Sequence, residues 1–260
     1  MKRVLSIGLV MALVSVACLA ADVPSVNVAG FARKGVAAGE LTIVGVNLAG
    51  IGGDQTLQSL FGDDVTAGVT PGSADRIVTW DAVNQQYQAY CMYSVDGEFY
   101  PCDTLDEWNN GAATNPVLEV GEAVWFKTHP TIPNEVSVTG EAVAETTKDV
   151  PMVFGLNLVC YPLSAEITID DTSLGSNTDA VQGTTPGSAD QLITWEGSGY
   201  QRYALYTDGN WYGCNTLQEW NDESVLGSDR VLKVGEGFWY RSRNATGITW
   251  TEANPYLANL

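Results

Sequence analysis

The hexapeptide Thr70-Pro71-Gly72-Ser73-Ala74-Asp75 occurs a second time, unchanged, as Thr185-Pro186-Gly187-Ser188-Ala189-Asp190. Such a repeat constrains the fold more than composition does, because self-similarity at a fixed period means a recurring structural unit. The match extends outward on both sides. Each hexapeptide leads into a strand-like run ending Thr79-Trp80 or Thr194-Trp195. Upstream, Val26-Asn27-Val28-Ala29-Gly30 answers Val136-Ser137-Val138-Thr139-Gly140, and Gly45-Val46-Asn47-Leu48 answers Gly155-Leu156-Asn157-Leu158. Downstream, Thr104-Leu105-Asp106-Glu107-Trp108-Asn109 answers Thr216-Leu217-Gln218-Glu219-Trp220-Asn221, and Glu119-Val120-Gly121-Glu122 answers Lys233-Val234-Gly235-Glu236. Two units follow, at 21–137 and 138–260.

Within each unit β-branched and aromatic residues alternate with polar ones, and Gly, Pro, Asn or Asp separates the runs. This is the period of short strands. The expected fold is mostly β: two tandem homologous small antiparallel modules, sandwich-like or barrel-like, with one or two short helical turns each. The helical turns are expected at 55–60, 105–109 and 217–221. Thr104 and Thr216 stand as N-caps with Glu107 and Glu219 three residues on, the capping-box spacing. A third strand of the Val-x-Val type, Ile248-Thr249-Trp250, suggests one boundary strand at each end of each module. The strand at 136–143 would then be shared by both.

The basic start Met1-Lys2-Arg3, an apolar run and the small residues before Ala21 read as a signal peptide over 1–20. No later segment approaches the roughly 18 apolar residues of a membrane-spanning helix. A secreted or cell-surface location is expected. Lipidation at Cys18 is disfavoured because Ser15 stands where a lipobox has Leu. Loss of Lys2 and Arg3 moves the formal charge from −19 to −21. Nucleic acid and anionic membrane would be repelled. The acidity serves either solubility in a salty medium or binding of Ca²⁺; no other cofactor is indicated.

The segment 90–102 reads as a hairpin about an Asp96-Gly97 turn, a strong two-residue signal. With that turn at the centre, Cys91 faces Cys102, and an exported chain would pair them as a disulfide. The same hairpin recurs around Asp208-Gly209, with Cys214 matching Cys102 and Tyr203 in the place of Cys91. Cys160 is the remaining mature cysteine, so Cys160 with Cys214 is the second expected bridge, and a free, reactive Cys214 is the alternative.

An enzyme is not expected. His129 is the lone histidine and sits before Pro130, with no counterpart in the other unit, so neither a Ser-His-Asp triad nor a zinc site can be assembled. No Gly-rich phosphate loop links a strand to a helix. A carboxylate pair for glycoside hydrolysis remains formally open. However, the recurring acids Asp75/Asp190, Glu107/Glu219 and Glu122/Glu236 all have structural roles at turns and caps.

In the second unit Gly155-Leu156-Asn157-Leu158-Val159-Cys160-Tyr161-Pro162-Leu163, then Asp190 to Trp195, then Leu232 to Tyr240 resemble a motif set of secreted and surface bacterial β-modules. That resemblance implies a fold and carries over no catalytic residue. The first unit departs from it at Ala49-Gly50-Ile51, which lacks the Pro, and at Ala123, which replaces a Gly. Two functions are expected to compete. One is a structural or interaction component of the cell surface or extracellular matrix, with copies of itself or envelope components as partners and the strand at 26–32 free to pair. The other is carbohydrate binding by the aromatics Tyr87, Tyr90, Tyr93, Phe99, Tyr100 and Trp108 of the first unit and Tyr200, Tyr203, Tyr206, Trp211, Tyr212 and Trp220 of the second. Alternation sends half of each hairpin's rings inward, and Trp211, Tyr212, Phe99 and Tyr100 are the candidate glycan-stacking residues.

Overall fold

The computed structural model describes residues 29–257. The segment read as a signal peptide, Cys18 and residues 26–28 of the boundary strand lie outside the described residues. The first half runs β1 (Ala29–Val36), β2 (Leu41–Gly45), α1 (Leu57–Phe61), β3 (Arg76–Asp81), β4 (Gln86–Met92), β5 (Phe99–Pro101), α2 (Leu105–Asn110), β6 (Ala123–Lys127) and β7 (Asn134–Glu141). The second half runs β8 (Thr147–Met152), β9 (Gly155–Cys160), β10 (Ile167–Thr168), β11 (Gln191–Trp195), β12 (Tyr200–Leu205), β13 (Trp211–Gly213), α3 (Leu217–Asp222), β14 (Val231–Leu232), β15 (Gly237–Ser242) and β16 (Ile248–Ala253).

The protein is mostly β, and every ladder between these strands is antiparallel. In the first half a five-stranded sheet is ordered β2-β6-β3-β4-β5 and accompanied by the ribbon β1-β7. The second half follows the same plan, with a sheet ordered β9-β15-β11-β12-β13 and the ribbon β8-β16, and adds the short pair β10-β14.

This arrangement corrects three correspondences read from the sequence. The strand at 136–143 is not shared, because β7 pairs with β1 while the second half has its own ribbon. The Gly-x-Asn-Leu match is out of register with the fold. Ile43 and Leu158 both pair with the tryptophan of the adjacent strand, and Gly45 and Cys160 both lie opposite the residue two before it. Gly45 therefore corresponds to Cys160, not to Gly155. Third, Cys91 pairs with Tyr100 rather than Cys102, because the hairpin loop closes at Tyr93 and Glu98 and is wider than two residues. The second hairpin closes at Tyr206 and Asn210, one residue tighter, with Gly209 at φ +89°. The counterpart of Cys91 is thus Ala204, which pairs with Gln191 as Cys91 pairs with Arg76.

Period two explains how the halves are held. On β6, Val124 and Phe126 enter the core of the first half, with Ile77, Phe61, Phe99 and Val138. Ala123 and Trp125 point the other way. On β15, Phe238 and Tyr240 enter the core of the second half, with Leu192, Trp211 and Trp250. Trp239 again points away. The outward sets meet in one buried seam of Ile43, Ala123, Trp125, Leu158, Cys160 and Trp239. The central strands are consequently apolar on both faces, as strands covered twice must be.

The seam is two-fold in plan. Gly45 donates its N–H to Gly235 O and Cys160 donates to Gly121 O, at 2.9 and 2.8 Å. Trp80 Nε1 donates to Leu156 O at 2.8 Å, and Trp195 Nε1 to Leu41 O at 3.0 Å. Each polar edge of the seam is therefore satisfied by the opposite half, which a buried indole requires.

The caps fall close to expectation. Thr104 and Glu107 form the reciprocal capping box of α2. Thr216 caps α3, but the Glu219 carboxylate accepts from Asn215 N, one residue earlier than the box requires. Asp75 and Asp190, after the repeated Pro-Gly turn, are buried anchors. Asp75 accepts from Thr66 N, His129 N and Asn134 Nδ2, and Asp190 from Val181 N, Arg243 N and Tyr240 Oη.

Candidate functional site

Where the seam reaches the surface, it ends in rings. Trp80 lies edge-on to Tyr87 at 4.7 Å and to Trp239 at 5.1 Å, so two rings of the first half are closed by one of the second. The reverse triad is Trp195 with Tyr200 at 5.0 Å and with Trp125 at 5.5 Å. The four tryptophans recur because the seam uses them, two from each half. Trp125 and Trp239 are each 4% exposed, whereas Tyr87 is 51% and Tyr200 43% exposed. Burial still raises both phenols above the usual tyrosine pKa, and for Tyr87 the neighbouring Tyr200 adds to the rise. The two triads thus form one aromatic platform, tyrosines outermost, on a rigid double-sheet base. Gln85 braces its edge by accepting from Leu156 N and donating to Leu156 O, both at 2.9 Å. T-shaped packing fixes the ring planes before any ligand arrives, which spares the cost of ordering them.

The residues proposed from sequence divide. Phe99 and Trp211 are buried core residues, so neither can stack on a sugar. In the hairpin they occupy inward positions of the alternation, and Trp211 packs 6.3 Å from Tyr240. Tyr100 and Tyr212 take the next positions and face outward. Tyr100 donates its hydroxyl to Asp96 Oδ2 at 2.7 Å and packs on Tyr93 and Trp108; Tyr212 donates to Asp208 at 2.8 Å and packs on Tyr206 and Trp220. Each trio borders a small polar cleft, of ≈ 360 Å³ in the first half and ≈ 170 Å³ in the second. The trios fasten α2 and α3 to their hairpins. The Tyr100 and Tyr212 hydroxyls are committed to the loop carboxylates, which leaves less for a ligand than the platform offers.

No protein-family model, curated protein or solved structure matches this chain.

All four cysteines of the described residues are thiols in the structure. Cys91 and Cys102 share a small cluster with Ala74 and Ala89 and lie within contact of one another. Their mutual contact lowers the Cys91 thiol and raises that of Cys102. The expected Cys160 to Cys214 bridge is overturned. Cys160 ends β9 at one edge of the sheet, and Cys214 follows β13 at the other. Four strand spacings of about 4.8 Å separate them, far beyond the reach of a disulfide. Burial pushes the Cys214 thiol up to about 11, against the low pKa a reactive thiol needs. His129 sits in a loop, where Thr131 N donates to its Nδ1 at 3.2 Å. Among the described residues no group of three or more His, Cys, Asp or Glu could hold a metal ion, and no helix is long and apolar enough to cross a membrane.

The sequence offered Tyr87 and Tyr200 only among the other hairpin aromatics, because they stand at the far ends of the first hairpin strands and meet only through the seam. The available signal was the repeated Thr-Trp followed, several residues later, by Tyr.

Proposed function

We propose that this is an exported, non-enzymatic binding protein that holds a polysaccharide against the aromatic platform between its halves. One observation carries the reading: Tyr87 and Tyr200, from equivalent places in the two halves, stand half-exposed on one face, each locked by two tryptophans. Flat, rigid, amphipathic rings suit the apolar faces of sugar rings and carry much contact area at little entropic cost. The recurring carboxylates support a binding rather than a catalytic role, since each is engaged by backbone donors at a turn or cap: Glu107 by Thr104 N, and Glu122 by Glu119 N.

Affinity electrophoresis through gels cast with soluble neutral and acidic polysaccharides tests this. At least one polymer is expected to retard the protein. Tyr87→Ala and Tyr200→Ala should each weaken the retardation roughly tenfold, about 1.4 kcal/mol, and the double variant should migrate freely. Retardation that survives the double variant but is lost in Tyr100→Ala would move the site to the hairpin clefts and overturn the reading.

A second reading, assembly of copies through the β1-β7 ribbon, is favoured by Phe31 and Ile51, 68% and 66% exposed beside one another on a shallow groove. Light scattering of Phe31→Ser against the unaltered chain, over a range of concentrations, checks it. A mass that does not rise with concentration in the unaltered chain excludes it.

A further inference from the structure

The two ends of the seam are equivalent in backbone but not in charge. At one end, β1 of the first half lies against the turn before β15, and a cavity of ≈ 250 Å³ opens between them. Its lining includes Lys34, Lys233, Glu236 and Arg33, the last paired with Glu135 at 2.7 Å, with Ala32, Val44, Val136 and Val234 as the apolar part. Arg230 stands behind it, bridging Glu196 and Glu236. At the other end, register places Met152 where Lys34 stands, because Met152 pairs with Ile248 as Lys34 pairs with Val136. The repeated Val-Gly-Glu turn places Glu119 where Lys233 stands and Pro116 where Arg230 stands. With Pro151 at the place of Arg33, four cations therefore occur at one end and none at those places at the other, in a chain with only 12 Lys and Arg against 31 Asp and Glu.

Lys34 and Lys233 are not there to balance local acids. Neither Lys34 nor Lys233 forms an ion pair with any carboxylate among the described residues. The Lys34 ammonium has one long hydrogen bond, 3.5 Å to Ile43 O, and burial depresses its pKa. Four positive groups against Glu135, Glu196 and Glu236 leave one positive charge. A half-buried ammonium with one weak acceptor is costly unless something anionic completes it.

We propose that this cavity binds a carboxylate, clamped by Lys34 and Lys233, with its carbon skeleton against Ala32, Val44, Val136 and Val234. One excess charge matches a monoanion better than a phosphate dianion. The carboxylate comes either from a free short-chain acid or from a uronic-acid residue of a polysaccharide. The proposal is independent of the aromatic platform.

The test is NMR of the full chain labelled with ¹³C-lysine, titrated with butyrate, glucuronate, phosphate and chloride at constant ionic strength. Butyrate or glucuronate is expected to shift the Lys34 and Lys233 Hε/Cε signals saturably, with an affinity at least tenfold weaker in Lys34→Met. Met is the residue found at the equivalent position, and Lys233→Gln, at an exposed turn, serves if Lys34→Met fails to fold. Saturation by butyrate assigns the free acid; saturation by glucuronate alone assigns the uronate. Tyr87→Ala/Tyr200→Ala should leave the shifts unchanged. Shifts that are linear and equal for chloride, that saturate at lower phosphate than carboxylate, or that persist in both lysine variants would overturn the proposal.

Discussion

Trp239→Ala is expected to lower the unfolding free energy by about 3–5 kcal/mol, the range for removing a buried tryptophan. Its ring belongs to β15 of the second half but packs on Trp80 and Tyr87 of the first, beside Ile43 and Leu158. The cavity left behind is bounded by two sheets already fixed by their own cores, so it cannot collapse cheaply. The effect should be distinctive in shape as well as size. Each half has its own apolar cluster, and the seam is what makes them unfold together. Urea denaturation of the variant, followed by tryptophan fluorescence and by far-UV circular dichroism, should give transitions that no longer coincide. Trp108→Ala, at a half-exposed ring on α2, should cost less and keep the transitions coincident. A loss below about 1 kcal/mol in Trp239→Ala, with coincident probes, would show that the seam is not the coupling element.

Asp190→Ala should be comparably damaging and, unlike the tryptophan variant, should depend on pH. Three donors converge on this fully buried carboxylate: Val181 N at 3.0 Å, Arg243 N at 2.5 Å and Tyr240 Oη at 2.7 Å. Removing the acceptor strands them at about 1–3 kcal/mol each, so a loss of about 3–5 kcal/mol is expected after partial rescue by water. Burial raises the Asp190 carboxyl above the ordinary aspartate pKa, and its three donors only partly offset the rise. A raised folded pKa adds stability that is complete below the unfolded value and is lost as pH rises through the folded value. The alanine variant lacks this contribution, so its deficit should be larger near pH 4 than at pH 7. The same sign applies to Glu122, Asp170 and Glu252, all raised by burial. Asp81, Asp96, Glu196 and Asp208, held below the ordinary range by hydrogen bonds, act with the opposite sign, so the difference between variant and unaltered chain isolates the Asp190 contribution. Thermal unfolding of both proteins from pH 4 to 8 checks these signs. A variant deficit that grows toward neutrality would contradict the account of Asp190.

The sequence carried the strand content, the three helical turns and the structural duties of the recurring acids, because those are local. Asp75 and Asp190 follow a Pro-Gly turn, and Thr104 stands three before Glu107. What it misplaced depends on register. One residue separates the two hairpin loops, so counting from Asp-Gly assigned Tyr203 to the place that Ala204 fills. The Gly-x-Asn-Leu match aligned identical letters, yet the ladders put Gly45 against Cys160. Phe99 and Trp211 looked informative because they differ, but alternation turned both inward. Tyr87 and Tyr200 stood out from none of the other hairpin aromatics, since their meeting requires a contact between halves that no local pattern encodes.

The pairing of Gly45 with Cys160 bears on how far the two ends of one chain are free to differ. These equivalent positions meet at the centre of the seam, where a Cβ on Gly45 would overlap the Cys160 side chain. In a dimer of identical chains the residue on the axis must fit against itself, so two cysteines or two glycines would face each other. Covalent linkage lifts that requirement, and a small residue on one side makes room for a larger one on the other. Exchanging the two, Gly45→Cys with Cys160→Gly, should be tolerated far better than Gly45→Cys alone. A molecule free to be unlike itself at its own centre can also carry a charged cavity at one end of the axis and an apolar contact at the other.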